Sequence, residues 1–177
     1  MALLNMPITL ERPGDAAAIR ALTEAAFRDR PYSDQTEAGI IDALRAAGAL
    51  TLSLVAIQDG VIVGHAAFSP VRITAAPGDW YGLGPISVGP DRQRRGIGRA
   101  LVRDGLERLK SLMAAGCVVL GDPAYYARFG FQADPELSHG DAPPGYLQRV
   151  VLEGPPPKGE VAYHPAFDAS QGKDSIG

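Results

Sequence analysis

A glycine-rich loop that leads into a long amphipathic helix restricts the fold of this chain more than any other feature. An apolar segment ends at Val88, a turn with Pro90 follows, and Gln93, Gly96 and Gly98 then come in the spacing Gln-x-x-Gly-x-Gly. The first four N–H groups of a helix have no intrahelical partners and lie at the positive end of its dipole. Glycines let phosphate oxygens approach that backbone closely. Together with the nearby arginines, the loop therefore predicts a pyrophosphate site.

Two widespread phosphate-binding loops do not fit this stretch. The dinucleotide fingerprint requires a third glycine and a carboxylate roughly 20 residues further along the chain. Leu101 stands at the third position, and residues 115–120 contain no carboxylate. A P-loop requires Gly-Lys-Ser or Gly-Lys-Thr, and the sequence contains neither tripeptide. The loop therefore belongs to a different class of phosphate site.

Composition excludes several classes of function. A chain of 177 residues predicts one domain, and the net charge of −3 makes the arginine cluster local, which argues against a nucleic-acid-binding surface. The single cysteine excludes an internal disulfide, and the three histidines are too far apart for a metal motif. No apolar run approaches the roughly 20 residues of a membrane span, and residues 1–6 lack the basic region of a signal peptide. We therefore expect a cytoplasmic protein with no metal.

Periodicity and turn residues predict the element order β-α-α-β-β-β-α-β-α-β-β. The strands are predicted at residues 8–12, 50–57, 61–69, 80–88 and 117–120, around Phe131, and at 147–152, and the helices near 15–27, 34–47, 96–115 and 122–129. Asp34 and Glu37 predict a capping box at the second helix. Leu112 is expected on the buried stripe of the third helix, with Gly116 as its stop. Residues after Gly154 are rich in proline and glycine and are expected to be irregular.

The loop and this element order together resemble the GNAT N-acetyltransferase superfamily. The stretch from Gln93 to Gly98 matches the signature Gln/Arg-x-x-Gly-x-Gly/Ala, and residues 121–131 and 163–167 resemble a subgroup of small bacterial acetyltransferases. The resemblance implies an acetyltransferase domain at residues 7–152, followed by a tail at 153–177. It also implies an α/β (α+β) fold. In that fold, about four helices flank a mixed, mostly antiparallel sheet of about seven strands, which is splayed between the fourth and fifth.

The resemblance implies acetyl-CoA as the cosubstrate. The pantetheine arm would pair with the main chain of Ile86 and Val88, while Ser87 points to the opposite face. The predicted cofactor-binding residues are Ile86, Ser87, Val88, Gln93, Arg94, Arg95, Gly96, Ile97, Gly98 and Arg99. Backbone N–H groups of residues 94–99 would hold the pyrophosphate. Of the five arginine side chains in this region, we expect one or two to touch phosphate, Arg94 or Arg99 foremost.

The resemblance also implies a general acid at Tyr126, four residues before Gly130. A phenol with a pKa of about 10 can protonate the CoA thiolate that leaves when an amine attacks the thioester. The alternative for Tyr126 is a core tyrosine on a helix. Its neighbour Tyr125 is expected to face elsewhere, because adjacent helical positions diverge. Many family members carry a CoA-binding asparagine where this chain has Val119, so the contacts of the ligand there stay open.

No residue is identified as the base that deprotonates the amine. Asp79 is the carboxylate nearest to the fourth strand but fits a turn residue, and water would suffice. Cys117 lies in an apolar run with no paired histidine and is expected to be inert, while His65 is expected to be structural or to line the substrate site. The acceptor would lie between residues 27–33 and 134–146. Their mixed charges indicate no single acceptor among small amines and peptides.

Two functions remain open at this stage. The first is an acetyl-CoA-dependent N-acetyltransferase, with acetyl-CoA and a small amine or peptide as partners and neither nucleic acid nor membrane among them. The second is a catalytically inactive acyl-CoA-binding regulatory or interaction module. Tyr126 and both loop glycines favour the enzyme, because a pure binding module needs no acid. A homodimer is compatible with either function.

Overall fold

This computed structural model describes residues 6–168, and this part of the chain contains nine strands and four α-helices. The helices are α1 (Ala16–Phe27), α2 (Glu37–Ala46), α3 (Ile97–Ser111) and α4 (Pro123–Tyr126). The strands are β1 (Ile8–Leu10), β2 (Leu52–Gln58), β3 (Val61–Ala75), β4 (Trp80–Val88), β5 (Gly116–Leu120), β6 (Gln132–Ala133), β7 (Leu137–Ser138), β8 (Leu147–Val151) and β9 (Lys158–Ala162). The predicted α+β class is confirmed, and β7 and β9 are added to the seven strands expected.

The main sheet has the order β1-β2-β3-β4-β5-β8-β6, and its only parallel pair is β4 with β5. That pair extends from Trp80 opposite Gly116 to Gly82 opposite Val118, and its ladder stops there. The register of β4 against β3 shifts just beyond this point. A shift of this kind is a β-bulge, which bends the strand. The second half of β4 therefore diverges from β5, which is the predicted splay.

Helices cover the two faces of the sheet with different side chains. On one face, here called the α3 face, Leu101 and Leu109 of α3 pack against Leu54 and Phe68 of the sheet. Helix α3 approaches β3 closely at Gly105, where a Cβ would lie 2.2 Å from the Phe68 ring. On the other face, here called the α1/α2 face, the core consists of a smaller apolar group. Its buried members are Ile19, Ile41, Val55 and Ala67.

The predicted capping box at Asp34 is wrong, because α2 begins three residues later. Gln35 has a φ of 63°, a left-handed conformation that no helix can include. The Asp34 carboxylate instead accepts a hydrogen bond from the N–H of Thr36 at 3.1 Å. Glu37 does form a side-chain hydrogen bond at this turn, but its partner is Ser33. The helix start is therefore organised by the turn before it.

The end of α3 also differs from the prediction. The helix ends at Ser111, and Met113 takes the left-handed position with a φ of 62°, so that Ala114 N–H bonds the Leu109 carbonyl at 3.0 Å. This bonding pattern closes helices and usually uses glycine. Leu112 is 52% exposed and is not part of the buried stripe. Gly116 belongs to β5, where a Cβ would lie 2.4 Å from the Trp80 ring, so it serves strand packing and not helix termination.

The segment after residue 154 is more regular than its composition predicts. Strand β9 pairs with the end of β3, with Ile73 opposite Val161, and a 3-10 helix follows at Pro165–Phe167. Val161 and Ala166 are buried. The expectation of an irregular tail is therefore wrong for these residues, because β3 continues past Pro70 to Ala75 and offers an edge to pair with. The rest of the predicted tail, residues 169–177, and residues 1–5 at the start lie outside the described residues.

None of the helices within residues 6–168 combines the length and the apolar character that crossing a membrane requires. Across the same residues, no three His, Cys, Asp or Glu side chains are grouped so that they could hold a metal ion.

Candidate functional site

The glycine-rich loop forms an open helix N-terminus. Gly96 is the N-cap of α3 with a φ of 83°, a conformation that favours glycine, and Arg94 has a φ of 65°. The first intrahelical bond is donated by Ala100 to the Gly96 carbonyl at 3.0 Å. Among the described residues no side chain caps this end. The N–H groups of the first turn therefore point toward the space in front of α3, as an anion site requires.

The arginines around the loop divide into two groups. Arg92 bonds the side chain of Gln58, and Arg103 lies over the Phe129 ring with its guanidinium carbon 5.9 Å from the ring centroid. Arg94, Arg95 and Arg99 are exposed, and within residues 6–168 none of the three forms a salt bridge. These three arginines are therefore the ones available to a bound anion, and Arg94 and Arg99 are both among them.

Strand β4 presents alternate side chains to the two faces of the sheet. Ile86 and Val88 pack against the core on the α3 face. Ser87 lies opposite His65 of β3 and is buried on the α1/α2 face. These orientations agree with the predicted ones. They leave the main chain of the splayed half of β4 facing the gap in front of β5.

Tyr126 lies at the end of the gap near β5. The Asp122 carboxylate caps α4 by accepting a hydrogen bond from the N–H of Ala124 at 2.9 Å. The Tyr126 ring packs edge-on against Phe131, with centroids 5.8 Å apart, and so closely over Gly121 that a Cβ there would lie 2.5 Å from the ring. Burial raises the pKa of the Tyr126 phenol, with smaller contributions from nearby Tyr125, Cys117 and Tyr32. The phenol is therefore protonated at neutral pH and is a hydrogen-bond donor.

Tyr125 points in a different direction from Tyr126, with the two rings at 89° to each other. A Cβ on Gly98 would lie 3.1 Å from the Tyr125 hydroxyl oxygen, so this hydroxyl stands at the N-terminus of α3. The guanidinium carbon of Arg128 lies 4.7 Å from the Tyr125 ring centroid. Burial raises the pKa of Tyr125, while Arg128 and Arg99 act to lower it. The predicted divergence of Tyr125 from Tyr126 agrees with this arrangement, but nothing in the local sequence pattern indicates that the Tyr125 hydroxyl lies beside Gly98.

The position of the family's asparagine is occupied by core packing. Val119 is buried on the α3 face and offers no polar group to a ligand. The carbonyl of Gly121, just after β5, already accepts a hydrogen bond from the Gln148 side chain at 3.1 Å. Among the described residues, the Tyr125 hydroxyl beside Gly98 is a polar group that faces the same gap and could replace the missing amide.

The other candidates from the sequence lie in less reactive positions. Cys117 is fully buried, and burial raises the pKa of its thiol, so the thiolate needed for nucleophilic attack does not form. Asp79 is exposed at the paired end of β4, away from the splayed half. His65 is buried with its Nε2 2.8 Å from the Ser53 hydroxyl, and burial lowers its pKa to about 4. The imidazole of His65 is therefore neutral at pH 7.

The two predicted acceptor segments approach Tyr126. From the loop between α1 and α2, Arg30 donates to the Gln93 side-chain oxygen at 2.7 Å, while the Gln93 amide donates to the Val88 carbonyl at 3.4 Å. Tyr32 of the same loop is 76% exposed. From the loop before β8, the carbonyl of Tyr146 accepts a hydrogen bond from the N–H of Gly121 at 3.0 Å. Gln93 therefore connects the acceptor loop to the glycine loop.

Comparisons with known proteins give the same family as the sequence motif. The model of the Acetyltransferase (GNAT) family matches residues 17–131. The uncharacterized N-acetyltransferase YhbS of Escherichia coli K12 is 41% identical over 128 residues, which are 72% of this chain and 74% of that protein.

Solved structures agree with this assignment. A GNAT family acetyltransferase from Brucella melitensis, solved with acetyl-CoA, is 55% identical with a TM-score of 0.83 and covers 93% of this chain and 99% of its own. YhbS from Escherichia coli, solved with CoA, is 35% identical with a TM-score of 0.82 and covers 92% of each chain. The predicted family is confirmed: this chain belongs to the GNAT family of acetyltransferases.

Proposed function

We propose that this protein transfers the acetyl group of acetyl-CoA directly to a primary amine. The observation that carries the proposal is the gap where β4 and β5 cease to pair, with two complementary groups beside it. The uncapped N-terminus of α3 follows β4, and the protonated phenol of Tyr126 packs over Gly121, just after β5. The acetyl-CoA and CoA bound by the two relatives above support the same ligand here.

The cosubstrate would be held mainly by the backbone. N–H groups of residues 94–99 would bind the pyrophosphate, and the main chain of Ile86 and Val88 would pair with the pantetheine arm. The exposed side chains of Arg94, Arg95 and Arg99 add positive charge in front of the helix. Gln93 orders the loop through its bond to the Val88 carbonyl. Backbone donors keep their positions when the ligand leaves, so this half of the site is preorganised.

The reaction breaks the C–S bond of the thioester while the amine nitrogen forms the new C–N bond. The electron pair of the C–S bond leaves with sulfur, and Tyr126 Oη supplies the proton that the thiolate takes up. Burial raises the pKa of the phenol, which makes it a weaker acid. Burial would raise the pKa of a CoA thiol bound beside it in the same way, so the proton transfer stays matched.

The direct route is favoured over an acyl-enzyme. Cys117 is the single cysteine in the chain, and its buried thiol cannot take the acetyl group from acetyl-CoA as a thiolate. Nucleophilic catalysis needs a nucleophile with an adjacent base, and Cys117 lies in an apolar strand with buried Val118 and Val119 beside it. The amine arrives unprotonated, water takes the proton that its nitrogen loses as the amide forms, and solvent returns a proton to the Tyr126 phenolate.

The test is release of free CoA thiol from acetyl-CoA, followed with a panel of primary amines in single-turnover mixing. The enzyme predicts amine-dependent release with a matching yield of acetylated amine by mass spectrometry. The inactive acyl-CoA-binding module predicts acetyl-CoA binding by calorimetry and no amine-dependent release. Small amines and peptides with a free N-terminus both belong in the panel. Sedimentation of the protein with and without CoA tests the homodimer.

A further inference from the structure

Buried polar atoms without partners are concentrated on the α1/α2 face. Among residues 6–168, the buried side-chain atoms without a hydrogen-bond partner are Thr9 Oγ1, His65 Nδ1, Ser69 Oγ, Ser87 Oγ and Tyr163 Oη. Ser87 lies opposite His65, and Ser69 lies opposite Gly82. His65 and Ser69 share the face of Ala67, which packs with α1 and α2, because side chains alternate along a strand. Buried polar groups are normally paired, so Ser69 and Tyr163, the two of these side chains that lie around Gly82, indicate a place for a polar molecule there.

Tyr163 brings its ring to the point where β4 and β5 separate. A Cβ on Gly82 would lie 2.7 Å from the Tyr163 ring, and Gly82 is the last residue of β4 that pairs with β5. The residue as a whole is half-buried, and its hydroxyl oxygen is buried. Burial raises the pKa of Tyr163, and nearby Cys117 and Tyr126 add to the effect. Tyr163 is therefore a protonated phenol on the other face of the sheet from the α3 core, close to Tyr126.

The chain around Tyr163 is fixed in place by packing and hydrogen bonds. Its ring contacts His139 edge-on at 4.9 Å and Phe167 at 5.1 Å between centroids. The Nδ1 atom of His139 lies 2.8 Å from the Val161 carbonyl of β9. The imidazole of His164 caps the following 3-10 helix by accepting a hydrogen bond from the N–H of Ala166 at 3.0 Å. A side chain held this firmly can orient a substrate.

The acceptor has to reach the acetyl group from the face on which Tyr163 lies. The α3 face of β3 and β4 is filled by apolar core, and the CoA arm occupies the gap itself in the function proposed above. The α1/α2 face carries hydroxyl groups, and both predicted acceptor loops lie near Tyr126. At neutral pH this group of polar side chains carries no charge, since His65 is neutral.

We propose that Tyr163 is a catalytic residue whose hydroxyl oxygen accepts a hydrogen bond from the N–H of the uncharged acceptor amine. This contact orients the nitrogen lone pair toward the thioester carbon, while Tyr126 acts on the leaving sulfur. Ser69 of β3 offers a second hydroxyl to the same acceptor amine. The inference rests on the proposed amine acetylation, and it makes residues 158–167 part of the acceptor site.

The test uses a stable adduct that needs no knowledge of the natural acceptor. In the probe CoA–S–CH₂–CO–NH–propyl, an amide N–H stands in for the amine that has attacked. Tyr163→Phe should weaken the adduct by about 3- to 10-fold, the net effect of one neutral hydrogen bond, and change the affinity for CoA alone less than twofold. With propylamine and acetyl-CoA, kcat/KM for the amine should fall by a similar factor. Calorimetry and thiol release measure the two effects.

The matched control is Thr9→Val, which removes a buried unpartnered hydroxyl from β1, three strands away from β4. Its affinities should equal those of the wild type. Unchanged adduct affinity in folded Tyr163→Phe, or equal loss for CoA and adduct, would overturn the inference. If circular dichroism shows that Tyr163→Phe does not fold, Ser69→Ala decides, with about a twofold loss expected for the adduct and no loss contradicting the proposal. Absence of any amine turnover in the wild type would reject the acetylation itself, while the adduct comparison still reports on Tyr163.

Discussion

The two faces of the sheet differ in what they offer to a ligand. On the α3 face, β3 and β4 carry apolar side chains such as Phe68 and Leu83 that pack against α3, and the cosubstrate would be held mainly by backbone N–H groups at Gly96 and beyond, beside exposed arginines. On the α1/α2 face, the same two strands carry buried hydroxyls and the neutral imidazole of His65. In the proposed site, one half would therefore use mainly backbone and the other half side chains.

This difference predicts which binding property a substitution can change. A backbone anion site depends on loop geometry, so a substitution that keeps the loop keeps the cosubstrate. A wall of side chains changes its chemistry with each substitution, so acceptor specificity can change on the α1/α2 face without disturbing CoA binding. The following predictions test this division, from the largest expected effect to the smallest.

Tyr126→Phe should produce the largest change. Removing the hydroxyl leaves the leaving thiolate without its proton donor and should lower the chemical rate by about 10²- to 10⁴-fold, with acetyl-CoA affinity nearly unchanged. The rate should be followed in a single turnover, because slow product release would hide the effect at steady state. A core role would instead cost on the order of 1 kcal/mol of stability and leave the rate per folded molecule intact. A normal single-turnover rate would exclude Tyr126 as the acid.

Gly98→Asp should strongly weaken acetyl-CoA binding and leave the fold intact. A carboxylate about 4 Å from the pyrophosphate opposes it with several kcal/mol of repulsion, so we expect a loss of about 10²- to 10³-fold in calorimetry. The control is Gly39→Asp on α2, where a Cβ would meet nothing within 4 Å. Equal affinity of folded Gly98→Asp and wild type would remove the pyrophosphate from this loop.

Because His65 is buried and neutral, we expect the folded protein to lose stability at acidic pH. Burial lowers the pKa of His65 to about 4; the charge of Arg45 also lowers it, and the charge of Glu11 acts in the opposite direction. An unfolded histidine has a pKa of about 6.5. Between these values the unfolded state binds the proton and the folded state does not, so stability falls as the pH falls through this window. The free energy of unfolding should drop by about 2 kcal/mol from pH 7 to pH 5 on account of His65.

The measurement compares urea unfolding of the wild type and of His65→Gln at both pH values. Carboxylates titrate in both proteins, so the difference between their pH dependences isolates the imidazole. Parallel pH dependences would mean that His65 is charged or solvated in the folded state. The α1/α2 face would then not be neutral, and its contrast with the α3 face would have to be revised.

Features that contiguous residues form could be predicted from the sequence, whereas features that depend on residues far apart in the chain could not. The conformation of the glycine loop and the start of α3 were predictable, because the residues that form them are contiguous. Strand β9 was not, because its pairing with β3 joins Ile73 to Val161, far apart in the sequence, and strands as short as β7 exist only through such pairing. Tyr163 lies in a stretch that resembles a family subgroup, but its place over Gly82 depends entirely on this long-range register.

Helix ends show a second limit of local reasoning. Gly116 looked like the stop of α3, yet Met113 takes the left-handed conformation and Gly116 is required by the Trp80 ring. A glycine has two uses, a positive φ or a close approach of neighbouring atoms, and the local sequence does not distinguish them. For a related reason, the sequence predicted that Tyr125 and Tyr126 diverge but not what Tyr125 contacts, since a helical turn fixes only the angle between adjacent side chains.

Tyr125→Phe should give the smallest effect, and it tests whether side chains also contribute to the backbone half of the site. The Tyr125 hydroxyl stands beside Gly98, so it can donate a hydrogen bond to the bound cosubstrate where the asparagine replaced by Val119 would act in other family members. We expect acetyl-CoA affinity to fall by about 3- to 10-fold and the single-turnover rate at saturation to stay constant. This is the opposite pattern to Tyr126→Phe, which should lower the rate and keep the affinity. The control is Tyr146→Phe, a tyrosine that is 44% exposed in the loop before β8. If Tyr125→Phe binds acetyl-CoA as tightly as the wild type, the cosubstrate is held without help from Tyr125, and the division between a backbone half and a side-chain half becomes sharper.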